Sequence, residues 1–347
     1  MKQNFAQIPL EWVGPLKLIG PEVIDEIEIP LATYESPLWP STQRGASCTA
    51  KAGGIRASIV DDRMTRSVLV EAKDVAVSSR AANDLLSKKR EIATLCEATS
   101  KHLKFVDIHV QVVSNLLYIR LEMTTDDASG HNMLTKAADH LLLWITKSYP
   151  ELSYVSISGN YCTDKKVSCV NGILGRGKSV VADVLLPCDL VVKYLKTTPE
   201  QIVSLNIKKN LIGSIIAGSV RSANAHFANM LLALYLATGQ DAANIVEGSQ
   251  GFTYAEIRGN DLYFSVSLPN IIMGTVGNGK ELAFVQENLQ RLGCQAARGP
   301  GENSRRLAII MAATCLCGEL SLLAAQTNPG ELVNTHVRLE RQKVGTT

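Results

Sequence analysis

Gly172-Ile-Leu-Gly-Arg-Gly-Lys178-Ser179 fits the spacing G-x-x-x-x-G-K-[ST], in which backbone N–H groups cradle phosphates and the lysine reaches them. Such a loop needs a buried strand before it and, after it, a helix whose N-terminus faces the phosphate. Here the preceding Lys165-Lys-Val-Ser-Cys169 is polar, and Val180-Val-Ala-Asp-Val-Leu-Leu-Pro187 reads as a strand. The pattern is therefore read as a glycine turn entering a strand rather than a nucleotide triphosphatase loop. The cysteines at 48, 96, 162, 169, 188, 294, 315 and 317 show no CxxC spacing, and the six histidines show no HxxxH or HExxH arrangement. Neither a metal site nor a disulfide framework is expected, and the cysteines read as small buried hydrophobes. No G-x-G-x-x-G follows a strand, so a Rossmann cofactor site is not indicated.

What remains are four polar strings at the ends of regular elements, where a rigid scaffold presents binding groups. They are Ser158-Gly-Asn-Tyr-Cys-Thr-Asp-Lys-Lys166, Asn206-Ile-Lys-Lys-Asn-Leu-Ile-Gly213, Gly239-Gln-Asp-Ala-Ala243 and Gly274-Thr-Val-Gly277. The elements that must position them show most clearly between 67 and 158. Ser67–Ala72 is β-rich, Ser78 and Ser79 are candidate N-caps, and Leu85, Leu86, Ile92 and Cys96 keep helical spacing. Phe105–Val113 and Leu116–Met123 alternate about a Ser114-Asn115 turn and predict a hairpin. Met133, Leu134, Ala137, Leu141 and Ile145 mark a helix that ends before Pro150, and Leu152–Ile157 closes as a strand. The order βαββαβ is a ferredoxin-like pattern. Residues 1–66 and 159–347 are read as long apolar helices separated by glycine turns, with the strongest helix over Asn224–Thr238. The fold class is thus α+β, a large helix-rich domain interrupted by a small inserted one.

The 347 residues are 46% apolar and 20% charged, enough for a sizeable core, and a net charge of +2 with scattered cations gives no stripe for nucleic acid or a membrane surface. The N-terminus has no secretory h-region, and Gly318 and Glu319 interrupt the apolar run Leu307–Ala325. That run is read as a buried helix, so a cytoplasmic protein without a membrane anchor is expected.

The four strings, in this order, resemble 3-hydroxy-3-methylglutaryl-coenzyme A reductases, closest to the class I type, from about Asn4 to His336. The resemblance implies an oxidoreductase of the mevalonate pathway. Such an enzyme reduces the acyl-CoA thioester to mevalonate and CoA with two NADPH, NADH being possible, in isoprenoid precursor synthesis. It implies catalytic roles for Lys165 as the cation beside the developing oxyanion, Asp241 as its carboxylate partner, Glu35 as proton donor and His336 as acid for the departing thiolate. Arg66, Ser158, Asp164, Lys166, Lys209 and Asn229 would bind the substrate's acyl part, and Ser41, Arg44, Lys196 and His226 its CoA. The dinucleotide would lie on the small domain, 67–158, near Ser100, Lys101, Asp127, Gly130 and Asn132, with Val276 and Gly277 opposite. The family's D-A-M-G-M-N turn reads Asp127-Ala-Ser-Gly-His-Asn132 here, Gly277-Asn278-Gly279 replaces three glycines, and Lys101 stands where an arginine would meet a 2′-phosphate. A homodimer with shared sites, possibly a tetramer, is implied, Lys165 facing the partner's Glu35 and Asp241. The other readings are NAD-dependent mevalonate oxidation in the reverse direction, and a catalytically silent CoA-binding homologue.

Overall fold

The computed structural model describes residues 4–337, except the side chains of Thr335 and His336. Alternating apolar positions first build an antiparallel hairpin, β1 (Leu10–Ile19) and β2 (Ile24–Ala32), against which helix α1 (Leu38–Lys51) packs. The chain then enters β3 (Arg56–Ala72), a strand of 17 residues that serves two structures. Its first half pairs with β7 (Gly177–Leu186), which is followed in the sheet by β9 (Asp261–Ile271) and β8 (Phe252–Arg258). Its second half pairs with β5 (Leu116–Thr124) and β6 (Leu152–Ser156), and β4 (Lys104–Val113) pairs with β5.

Around the second half of β3, helices α2 (Val75–Ser87), α3 (Lys89–Glu97) and α4 (His131–Ser148) cover a sheet of order β6-β3-β5-β4 over a core of their own. Numbered within the unit this is 4-1-3-2, each neighbour antiparallel. The second core gathers the short helices α5 (Cys169–Leu174) and α6 (Pro199–Leu205) with α7 (Phe227–Ala237), α8 (Ala283–Arg291) and α9 (Glu302–Thr327) about β7 and β9; α10 (Glu331–His336) follows α9. α9 is apolar on all sides because it lies among α1, α7, β7 and β9. It is long and apolar enough to cross a bilayer, but 94% of its most apolar window is buried inside the protein. At Gly45 it touches α1 so closely that an added Cβ would lie 2.1 Å from the Cys317 carbonyl oxygen.

Several sequence expectations are corrected. Among the described residues, 4–66 are mainly strands, with α1 their one regular helix, and the later part of the large unit contributes β7, β8 and β9 besides its helices, rather than long apolar helices alone. β3 begins at Arg56, not Ser67, because Arg56, Asp62 and Arg63 face ionic partners (Asp183, Lys178 and Glu122) instead of an apolar core, so the stretch does not read as a strand. The helix expected from Ser78 through Cys96 is two helices broken at Lys88. Its cap is Asp74, whose carboxylate accepts from Val77 N at 2.9 Å, while the Ser78 hydroxyl bonds back to the Val75 and Ser114 carbonyls. The glycine-lysine motif behaves as expected: Gly177 starts β7, and Lys178, only 3% exposed, pairs with Asp62 inside the sheet. Six of the eight cysteines are buried, Cys169 being exposed and Cys188 half-buried.

Candidate active site

α7 stops at Gly239, whose φ of +64° supplies the left-handed residue that ends a helix. Gln240 then locks the chain to Gly274, donating to its carbonyl and accepting from its N–H, both at 3.0 Å. This lock presents Asp241, which accepts from Ala243 N–H at 3.1 Å and receives Lys165 Nζ at 2.6 Å. Lys165 projects from the loop between β6 and α5 with φ +56°, and Arg120 and Asn171 hold that loop by the Tyr161 and Thr163 carbonyls. The hydrogen bond to Asp241 holds the Lys165 ammonium above the usual lysine range. Burial alone would raise the Asp241 carboxyl, but the hydrogen bonds from Lys165 and Ala243 outweigh it and hold the group below the usual carboxylate range. At neutral pH the pair is ammonium and carboxylate.

The pair opens on a cleft of about 590 Å³ lined by Arg66, Gly130, His131, Asn132, Asp164 and the Val276–Asn278 turn, among others. Gly130 has φ +88° and caps the 18-residue α4, so the cleft contains a long helix's free N–H groups. Arg66 Nε is buried there without a hydrogen-bond partner, and His131 Nε2 lies 3.6 Å from Asp164 Oδ1. Asp127 lies beside this cleft, its carboxylate accepting from Ser304 N–H in the first turn of α9 and its carbonyl from Thr275 N–H. Ser100 and exposed Lys101 lie in the turn after α3, which His102 ties to Asp126 at 2.8 Å. Val276 and Gly277 are exposed. Lys166 turns to the Asp164 carbonyl, and the Ser158 carbonyl accepts from Ser156.

A second cleft, about 600 Å³, holds Glu35, Ser41, Arg44, His226, Asn229, Glu331 and Leu332. Asn229 donates to Glu35 at 3.0 Å, and Arg44 bonds Ser321 and Glu331. The Ala225–His226 wall is held from behind by Glu319, fully buried in α9, which accepts from Ala225 N–H, His226 N–H and the Thr253 hydroxyl. Lys209, on the π-helical stretch Asn206–Gly213, bonds Asn210; burial pushes its ammonium down, and the Glu319 charge opposes this. Lys196 is exposed, and its carbonyl accepts from Asn328, which also bonds Glu331. His336 closes α10, and its side chain lies outside the described residues.

The expected site residues thus fall into two groups within one chain. Arg66, Asp164, Lys165, Asp241 and the expected cofactor residues Gly130, Asn132, Val276 and Gly277 line one cleft; Glu35, Ser41, Arg44, His226 and Asn229 line the other. The clefts lie at opposite ends of α7, and from Asn229 to Ala237 the helix alone spans about 12 Å. The expectation that Lys165 meets the Asp241 of a partner is corrected, because both belong to the same chain. Sequence reasoning missed Arg176, Glu247 and Glu319, charged residues at most 1% exposed that support the two clefts. Arg176 was inside the glycine motif, and Glu247 six residues past Asp241, but no spacing rule marks either.

Comparison with known proteins matches residues 4–341 to the hydroxymethylglutaryl-coenzyme A reductase family model. The 3-hydroxy-3-methylglutaryl-coenzyme A reductase of Aeropyrum pernix is 41% identical over 97% of this chain and 80% of its own. That of Pyrococcus abyssi is 43% identical over 92% and 79%, and a second reductase of Dictyostelium discoideum 40% identical over 98% and 65%. The class II enzyme of Streptococcus pneumoniae, solved with NADPH in open conformations, superposes with a TM-score of 0.75 at 19% identity, over 94% of this chain and 86% of that one, a likeness of fold.

Proposed function

The chain belongs to the hydroxymethylglutaryl-coenzyme A reductase family, and from that membership we propose that it reduces 3-hydroxy-3-methylglutaryl-CoA to mevalonate and free CoA with two NADPH. The observation that carries the reading is the Lys165–Asp241 pair at the rim of a cleft with a long helix's N-terminus in its wall.

A bound NADPH supplies the hydride for each of the two reductions. The free N–H groups at Gly130–Asn132 suit the pyrophosphate of a dinucleotide, and Lys101 suits a 2′-phosphate. In the first reduction, hydride reaches the thioester carbonyl and its oxygen becomes an oxyanion beside the Lys165 ammonium, whose charge Asp241 preserves. The hemithioacetal collapses, its C–S bond breaks, and the departing thiolate takes a proton from His336. Hydride then reaches the aldehyde, and Glu35 supplies the proton that completes the alcohol. Arg66, Ser158, Asp164, Lys166, Lys209 and Asn229 hold the acyl part, and Ser41, Arg44, Lys196 and His226 the CoA.

We further propose that two copies complete each site. Proton transfer and oxyanion stabilisation act within hydrogen-bond reach, whereas α7 separates Glu35 and Lys165 of one chain by much more. A homodimer bringing the Lys165 cleft of one copy to the Glu35 cleft of the other removes the mismatch. In this scheme residues 67–158 form the cofactor domain and 1–66 with 159–347 the substrate domain. We also propose that the chain lies nearer class I, on the strings Ser158–Lys166, Asn206–Gly213, Gly239–Ala243 and Gly274–Gly277. We propose a cytoplasmic enzyme, and burial of α9 supports reading that helix as core rather than as a membrane span.

The test follows absorbance at 340 nm with the thioester and NADPH or NADH, beside Lys165→Ala. NADPH oxidation that disappears in Lys165→Ala supports the reading. NADH preference favours the catabolic direction, and no oxidation of either sinks the enzyme assignment.

A further inference from the structure

We propose that buried Glu247, paired with Arg176, is a positioning residue that sets the place and orientation of Lys165; the catalytic meaning of this rests on the function proposed above. Lys165 is exposed and sits at φ +56°, a backbone region that side chains other than glycine seldom occupy, so surrounding contacts must hold it there. Within the described hydrogen bonds its N–H donates to Glu247 Oε1 at 3.1 Å. The same oxygen accepts from Asn244 Nδ2 at 2.9 Å, three residues past Asp241, and faces Arg176 Nε at 3.5 Å. One carboxylate therefore ties the Lys165 loop to the turn that carries its Asp241 partner.

Arg176 extends the clamp. It donates to the Thr65 carbonyl at 2.7 Å and hydroxyl at 2.9 Å, next to Arg66, and to Asp164 Oδ1 at 2.6 Å, next to Lys165. Its fork thus spaces Arg66, Asp164 and Lys165 as directional hydrogen bonds can and apolar contacts cannot.

Stability alone is a poor account of this pair. Glu247 is fully buried, Arg176 is 1% exposed, and Glu247 Oε2 has no hydrogen-bond partner. Burying charge with an unpaired oxygen is costly, and apolar replacements of such pairs are often neutral or stabilising. What an apolar pair would lose here is the link from the Lys165 backbone to the turn that carries Asp241.

The experiment compares Glu247→Leu and Glu247→Gln with the full-length wild type. Steady-state kinetics are paired with a readout independent of catalysis, the rate of Lys165 amidination followed by peptide mass spectrometry. In Glu247→Leu we expect kcat to fall about 30- to 100-fold with KM for thioester and cofactor within about threefold, as a displacement near 1 Å would produce. Lys165 labelling should rise at least about threefold while Lys209 labelling stays constant. Glu247→Gln, whose amide oxygen still accepts from Lys165 N–H, should return kcat to within about fivefold of wild type. If Glu247→Leu does not fold, Arg176→Lys, which cannot reach Glu247, Asp164 and Thr65 together, should give the same pattern more weakly. A folded variant with wild-type kcat and Lys165 labelling overturns the proposal, as does a change confined to KM and melting temperature. Altered labelling beside a Lys165→Ala that keeps full activity would uphold the clamp and reject the catalytic role of Lys165.

Discussion

Lys280 offers a prediction that can be worked in numbers. It follows the Gly277–Gly279 turn, is 6% exposed, and donates its ammonium to the Gly239 carbonyl two residues before Asp241. Burial pushes its pKa from 10.5 down to about 8, with Glu281 opposing. Over the interval between these values the unfolded chain keeps a proton that the native chain has released. Unfolding therefore takes up a proton, and stability rises with pH from about 8 toward 10.5. Between about pH 7.5 and 9.5 the difference in proton binding amounts to about 2 kcal/mol of added stability. In Lys280→Met, which fills the same space without a titrating group, this increment vanishes. Urea unfolding followed by tryptophan fluorescence at the two pH values measures it as the wild-type gain minus the variant's gain, so that other titrating groups cancel. Parallel pH dependences in the two proteins would refute the buried placement of the amine and with it the account of how the Asp241 turn is fastened.

Three further outcomes are expected. Glu35→Gln, which can keep its bond to Asn229, should lower kcat about 10²- to 10⁴-fold while leaving urea stability nearly unchanged, and turnover within threefold of wild type would remove Glu35 from the chemistry. Gly45→Ala drives a Cβ against the Cys317 carbonyl and should destabilise by about 2–3 kcal/mol in the same unfolding assay; an unchanged midpoint would show that α1 and α9 separate freely. Lys101→Ala should raise KM for NADPH about tenfold and leave KM for NADH unaltered, and an equal rise for both would show that Lys101 does not read the 2′-phosphate.

What the sequence disclosed and what it hid follow from different physics. The β4–β5 hairpin and α4 were legible because they are periodic: alternation in β4 and β5, 3.6-residue spacing in α4, and a two-residue turn between the hairpin strands. α9 was legible as a buried helix because its apolar run Leu307–Ala325 is too long for a surface helix and is broken near its middle by Gly318 and Glu319, which do not suit a bilayer. The first half of β3 was not, since its charged residues satisfy one another across strands and periodicity reports only contrast between water and oil. The Lys165–Asp241 partnership came from resemblance, and its placement within one chain could not, because 76 residues separate the two and only the α7 stop, the Gln240 lock and the Lys165 loop together close the gap. Arg176 and Glu247 left no sequence signal at all: they serve geometry, and geometry has no period.

The charged residues that periodicity misses gather where the two hydrophobic cores meet. Arg63 bridges Asp61 and Glu122; Glu122 receives Arg120 at 2.6 Å; and Arg120, fully buried, donates to the carbonyls of Tyr161 and Gly175 at either end of the segment that carries Lys165. Arg176, the next residue, donates to Thr65 on β3. Apolar burial is non-directional and would let the β6-β3-β5-β4 unit settle against its neighbour in several ways, whereas forked guanidinium bonds fix angle as well as distance. β3 gives the two sheets a common backbone but leaves twist and bend free along 17 residues. A polar seam removes that freedom where an error matters most, because the loop leaving the seam carries the ammonium and the strand crossing it carries Arg66. The seam therefore ties the geometry of the Lys165 ammonium to that of the cleft at the α4 N-terminus, and a change in how the two units pack would be transmitted to Lys165 through hydrogen bonds rather than absorbed by a deformable core.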